Sequence, residues 1–202
     1  MNKQTEDIKV IREMMEKSSK FLSFNGLSIV YAGLFAIAGA GIACYYLSRI
    51  PGYIVFDSTD RALYLIVDAI IVLGLSVATV TFFCWRKAKR NKQTLFNSTT
   101  RRAAYNLLLP LTAGGIFSLI FLLRGNIDVA SSATLLFYGL GLINASKYTF
   151  SELHYLGIIE VILGILAAIF LTKSILFWVI GFGVCHIIFG LFMYFKYDFK
   201  KK

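Results

Sequence analysis

The sequence predicts an all-α fold, a polytopic bundle of six transmembrane helices with both termini on the cytoplasmic side. Three observations carry that expectation. Hydrophobic residues make up 57% of the 202 residues and charged ones 16%, against about 45–50% and about 25% in an ordinary soluble domain. The excess is gathered into six runs, at 21–48, 62–85, 103–123, 130–147, 153–172 and 175–195. Each is near or above the ~17–25 residues that a helix needs to cross about 30 Å of hydrocarbon. Seventeen of the lysines and arginines fall on one side of these runs and four (Arg49, Arg61, Arg124, Lys173) on the other. The positive-inside rule puts the richer side, with both chain ends, in the cytoplasm.

Residues 5–20 read TEDIKVIREMMEKSSK. Thr5 suits a helix N-cap, and Glu6 and Asp7 suit the first turn. Ile8, Ile11 and Met15 recur at helical spacing, with Lys9, Arg12, Glu13, Glu16 and Lys20 on the other faces. Residues 1–20 are therefore expected to form a cytoplasmic amphipathic helix on the membrane surface, or a helical extension of the first span. Within that span Ala32, Ala36, Ala40 and Cys44 form a small-residue ridge that permits close helix packing. GLSIVYAGLFAI at 26–37 can be laid on GIIEVILGILAA at 157–168 with both glycines matching.

The second span carries Asp68, with Arg61 and Tyr64 earlier on the same side, so a structural Arg61–Asp68 pairing or an outer-vestibule role is expected. After it comes RKAKRNKQTLFNSTTRR, whose Arg86, Lys87, Lys89, Arg90, Lys92, Arg101 and Arg102 form a basic patch. The third span holds Asn106 and Pro110. The fourth is the shortest and contains Tyr138, Gly139, Gly141 and Asn144, its polar groups expected to make structural interhelical bonds. The fifth and sixth form a tight hairpin turning near Lys173, and 196–202 is read as a basic cytoplasmic tail.

These elements use nearly the whole chain, so any activity belongs to the bundle or its rims. The net charge of +10 reads as topology and contact with anionic lipid head groups, each basic residue near the surface contributing about 1 kcal/mol. No nucleic-acid module accompanies it, so nucleic acid is not an expected partner. A second copy of the chain or a membrane partner protein are the other contacts considered. Cys44, Cys84 and Cys185 show no metal-ligand spacing. No metalloprotease, rhomboid-like, nucleophile-elbow or phosphate-loop pattern occurs. No cofactor, metal or catalytic residue is therefore expected.

The candidate site comes from the ionisable residues inside the spans: Asp68, Glu160 and His186. A charge at the bilayer centre costs about 3 kcal/mol or more, so such residues face the bundle interior and mark a pocket or a pathway. Glu160 is flanked by Gly157 and Gly164, and His186 by Gly183 and Gly190, with identical spacing. Each polar side chain thus shares a helix face with two glycines. Glu160 lies thirteen residues before Lys173 and His186 thirteen after it, which puts both about 20 Å from the turn. They are expected to form a hydrogen-bonded buried pair. Losing one partner alone should cost more than replacing both by leucine.

IREMMEKSSKFLSFNG, LINASKYTFSELHYLGIIEVILG and GFGVCHIIFGLFMYFKY resemble a family of small bacterial multi-span integral membrane proteins with no assigned activity. The resemblance covers most of the chain and implies a six-helix protein of the bacterial inner membrane. It carries over no site residue. Three function classes remain: a non-catalytic sensor, scaffold or accessory subunit; a small proton-linked transporter or channel using Glu160 and His186; and a lipid-modifying membrane enzyme.

Overall fold

The computed structural model describes residues 25–49, 58–90 and 98–199. The expected amphipathic helix over 1–20, Lys92 and the last three lysines lie outside the described residues. Six helices long and apolar enough to cross a membrane are present, with no strand among the described residues. They are α1 (Gly26–Arg49), α2 (Ser58–Arg90), α3 (Ser98–Leu123), α4 (Ile127–Ser146), α5 (Glu152–Ile169) and α6 (Leu171–Asp198).

Local chemistry sets the ends. Asn25 Oδ1 accepts the Leu27 N–H at 2.9 Å and its carbonyl accepts the Ser28 hydroxyl at 2.7 Å, which starts α1. α2 runs past the expected end through Lys87, Lys89 and Arg90, cations that a helix C-terminus favours. α3 ends in a Schellman turn, where the Gly125 N–H reaches Leu122 O (3.0 Å) and the Asn126 N–H reaches Phe121 O (2.9 Å). Gly125 supplies the left-handed backbone, φ 79°, that this motif requires. A single 3₁₀ turn at the start of α6, Leu171–Lys173, closes the expected hairpin with α5.

α6 is irregular. It is α-helical over Ser174–Trp178, π-helical over Val179–Cys185, α-helical over His186–Met193 and π-helical again over Tyr194–Asp198. A π segment widens the helix by one residue per turn and is frequent at functional positions.

The helices pack as a row in which α2 lies along α1, α1 along α6, and α4 between α3 and α5, with the first half of α6 against α4 and α5. The α1–α6 contact is a close antiparallel crossing. A Cβ added at Gly190 would stand 2.7 Å from Val30 N and 2.8 Å from Gly26 O, and one at Gly33 would stand 2.7 Å from Gly183 O. α5 crosses α4 in the same way, since a Cβ at Gly157 would meet Gly139 O at 2.8 Å and one at Gly164 would meet Leu136 N at 2.8 Å. The seven-residue glycine spacing shared by α1 and α5 thus serves the same packing purpose in both. By contrast, the most apolar stretch of α2 has no residue buried within the chain. Its Ile70 and Leu73 point outward, as lipid contact permits.

Asp198 at the end of α6 ties three helices together. Its Oδ2 accepts the N–H of Gly26 at the start of α1 (2.8 Å), and its Oδ1 takes Lys87 Nζ from α2 (2.7 Å). Two residues earlier, Lys196 pairs with Glu152 at 2.6 Å, and the Tyr197 hydroxyl donates to the same carboxylate oxygen at 2.6 Å. Residues 196–198 therefore belong to the helix rather than to a free basic tail.

Candidate functional site: a buried polar centre between α4, α5 and α6

Glu160 stands eight residues into α5, about 12 Å along its axis, and is fully buried at 0% exposure. His186, at the junction of the first π segment with the following α segment, is buried beside it. Their closest atoms, Glu160 Oε1 and His186 Nδ1, are 3.4 Å apart. The two residues meet at one depth, as their equal distance from Lys173 implies.

The bonding differs from the expected one. Both imidazole nitrogens are already engaged: Nδ1 with Gly181 O at 2.9 Å, and Nε2 with the Tyr138 hydroxyl at 2.8 Å. A carbonyl can only accept, so Nδ1 carries a proton. In the neutral ring Nε2 then accepts from the Tyr138 O–H, an assignment made from the bonding network. Neither carboxylate oxygen of Glu160 has a hydrogen-bond partner among the described residues. Glu160 therefore lies against an imidazole that is committed elsewhere. The expected hydrogen bond between them is replaced by a longer contact.

The glycines act otherwise than expected too. Gly157 and Gly164 admit α4, and Gly190 admits α1, while Gly183 faces Ile37 of α1. None of these brings α5 and α6 together. The glycine that touches the carboxylate is Gly181, where a Cβ would stand 2.5 Å from Glu160 Oε2 and 2.6 Å from Leu135 Cδ2. Gly181 has two roles, since its missing side chain admits Glu160 and its carbonyl orients His186. Sequence reasoning missed it, although GFG at 181–183 marks the spot.

Toward the α5–α6 turn, polar contacts continue along the seam between α4 and α6. Trp178 Nε1 donates to Thr134 Oγ1 at 3.1 Å, and the Ser174 hydroxyl donates to Asp128 Oδ1 at 2.5 Å. Phe182 fills the turn between Trp178 and His186, its ring centroid 4.9 Å from those of both Trp178 and Tyr138. In the opposite direction the next layer is apolar: Leu142, Leu153 and Leu156 form a buried cluster covered by Cys185 and Phe189.

The secondary candidates lie apart from this centre. Asp68 packs toward Gly39 of α1, and no ion pair joins it to Arg61 among the described residues. Arg61 Nε is buried without a partner. Two helical turns separate the pair, about 10 Å, which explains the failure of the expected contact. Asn144 is half-buried about 9 Å beyond Tyr138 along α4. In the basic patch Arg86, Lys89, Arg90, Arg101 and Arg102 are exposed, with Lys89 over the Trp85 ring at 5.3 Å. Lys87 turns inward to Asp198 and does not belong to that surface. Among the described residues no cluster of three His, Cys, Asp or Glu could hold a metal ion.

Fold and centre define a multi-pass α-helical membrane protein with a buried ionisable group at mid-depth. No family model, curated protein or solved structure matches the chain.

Proposed function

We propose that the chain is a non-catalytic sensor or accessory subunit of the bacterial inner membrane, oriented with both termini in the cytoplasm, whose state is set by protonation at Glu160. One observation carries this reading: a fully buried carboxyl group makes no hydrogen bond at either oxygen. Such a group has an electrostatic demand that its surroundings leave unmet. A proton is the smallest species that meets it. Glu160 and His186 are both buried, which favours a switching element over an open pore.

Trp178 reports on this switch through Phe182, whose ring is tilted at 44° against the indole with centroids 4.9 Å apart and in turn lies 5.9 Å from the His186 ring. With Trp85 replaced by phenylalanine, Trp178 emission in nanodiscs should change with pH, and Glu160→Gln should flatten that titration. An unchanged titration in the Gln variant would remove the reading. A proton-linked transporter is the second reading, favoured by the polar seam leading to Glu160; proton flux in proteoliposomes that disappears with Glu160→Gln would select it.

The orientation has its own test. Reporter fusions at residues 95 and 202 are expected to behave as cytoplasmic and one at residue 55 as external. An external signal at residue 202 would overturn it.

A further inference from the structure

The two directions leading away from Glu160 along the α4–α6 seam are chemically unlike. Toward the hairpin turn the seam holds the pairs Tyr138–His186, Thr134–Trp178 and Asp128–Ser174, ending at a half-buried carboxylate near the helix ends. Toward Lys87 and Asp198 the layer next to Glu160 is the Leu142–Leu153–Leu156 cluster, followed by Ile29, Phe150 and Met193. The hydroxyls at that end (Ser146, Thr149, Tyr197) donate to Ile143 O, Ala145 O and Glu152 instead of bridging these layers. Protons move along hydroxyls, imidazoles and water, and buried leucine and phenylalanine offer none of these.

We propose that Tyr138 and His186 relay protons to Glu160 from the Asp128 end only, so that the centre reads the pH of one side of the membrane. This rests on Glu160 being the protonated group, as argued above. The relay balances as follows. Water carries a proton from the Asp128–Ser174 end past Thr134 to the Tyr138 oxygen, while the Tyr138 hydroxyl proton passes to His186 Nε2. The proton on Nδ1 then leaves the Gly181 carbonyl for Glu160 Oε1, 3.4 Å away. One proton enters, the ring ends neutral as its other tautomer, and the carboxylate ends as the acid. α4 and α6 are the helices packed against α5. The titratable groups they bring toward Glu160 are Tyr138, Cys185 and His186.

The π segment fits this role. Its i→i+5 spacing sets Gly181 O beside residue 186, and Nδ1–H stands between two acceptors, the carbonyl at 2.9 Å and the carboxylate at 3.4 Å.

The test uses the full chain with Trp85→Phe in oriented proteoliposomes, with Trp178 emission followed after a pH jump on one side. A jump on the Asp128 side should give a fast response, and the same jump on the Lys87 side should give none until the gradient dissipates. A positioned proton carrier contributes about 10²–10⁴-fold to transfer rates. Tyr138→Phe should therefore slow the response at least about tenfold, with its final amplitude retained. Thr134→Val, which replaces the hydroxyl by a methyl at nearly the same volume, should slow it too. A fast response from the Lys87 side, or unaltered rates in both variants, overturns the relay. Absence of any response from either side overturns the assignment of Glu160 itself.

Discussion

Gly190→Leu is expected to abolish the folded monomer in mild detergent, or to lower its thermal midpoint by more than any other single change on the seam. A Cβ at this position meets Val30 N and Gly26 O, both backbone atoms of α1, so no rotamer change relieves the clash. Overpacking a core costs about 1–3 kcal/mol when side chains can yield, and here the helix axes themselves must separate. Separation also withdraws the Gly26 N–H from Asp198. The matched control is Gly74→Leu on α2, where a Cβ meets nothing within 4 Å. Size-exclusion profiles and thermal melts of the two variants that coincide would show that the α1–α6 crossing does not hold the bundle together.

The second large effect is an asymmetry at the buried centre. His186→Leu removes the partners of both the Tyr138 hydroxyl and the Gly181 carbonyl. The buried Tyr138 hydroxyl left unmatched should cost about 1–3 kcal/mol. Glu160→Leu removes a carboxyl group that bonds to nothing and leaves the imidazole contacts whole, so its thermal midpoint should equal or exceed that of the natural chain. A mutually bonded pair would instead make both single changes costly. Comparable losses in the two variants would restore that simpler picture and remove the case for an unmet carboxyl.

Hydropathy and charge spacing made the six helices legible, because lipid leaves the chain few alternatives to long apolar helices. Helix ends were less so. α2 outruns its apolar stretch because Arg86–Arg90 remain good helix formers after leaving the hydrocarbon. The meeting of Glu160 with His186 followed from their equal distance to a short turn, which is simple geometry. Its bonding did not follow, because bonding depends on what a third helix presents, and Tyr138 is 48 residues away from His186. Glycine spacing showed that backbones would approach closely, yet a glycine face does not say which helix will fill it. The π segment left no periodic trace, since a one-residue widening is too small a departure from helical spacing.

The glycine crossing of α1 with α6 has a consequence for biogenesis. Of the six helices, α1 is made first and takes α6, made after the other five, as its neighbour, and Asp198 can bond to Gly26 only once α6 has emerged. At ~5–20 residues per second the intervening chain takes roughly 7–30 s to emerge. Through that interval α1 presents Gly26 and Gly33 without a mate, and lipid or the insertion machinery must occupy the groove. A nascent chain stalled before Gly183 would hold five inserted helices and no seam for the first of them to enter. That makes α6 the closing piece of the bundle, the helix whose arrival first gives the glycine face of α1 a protein partner.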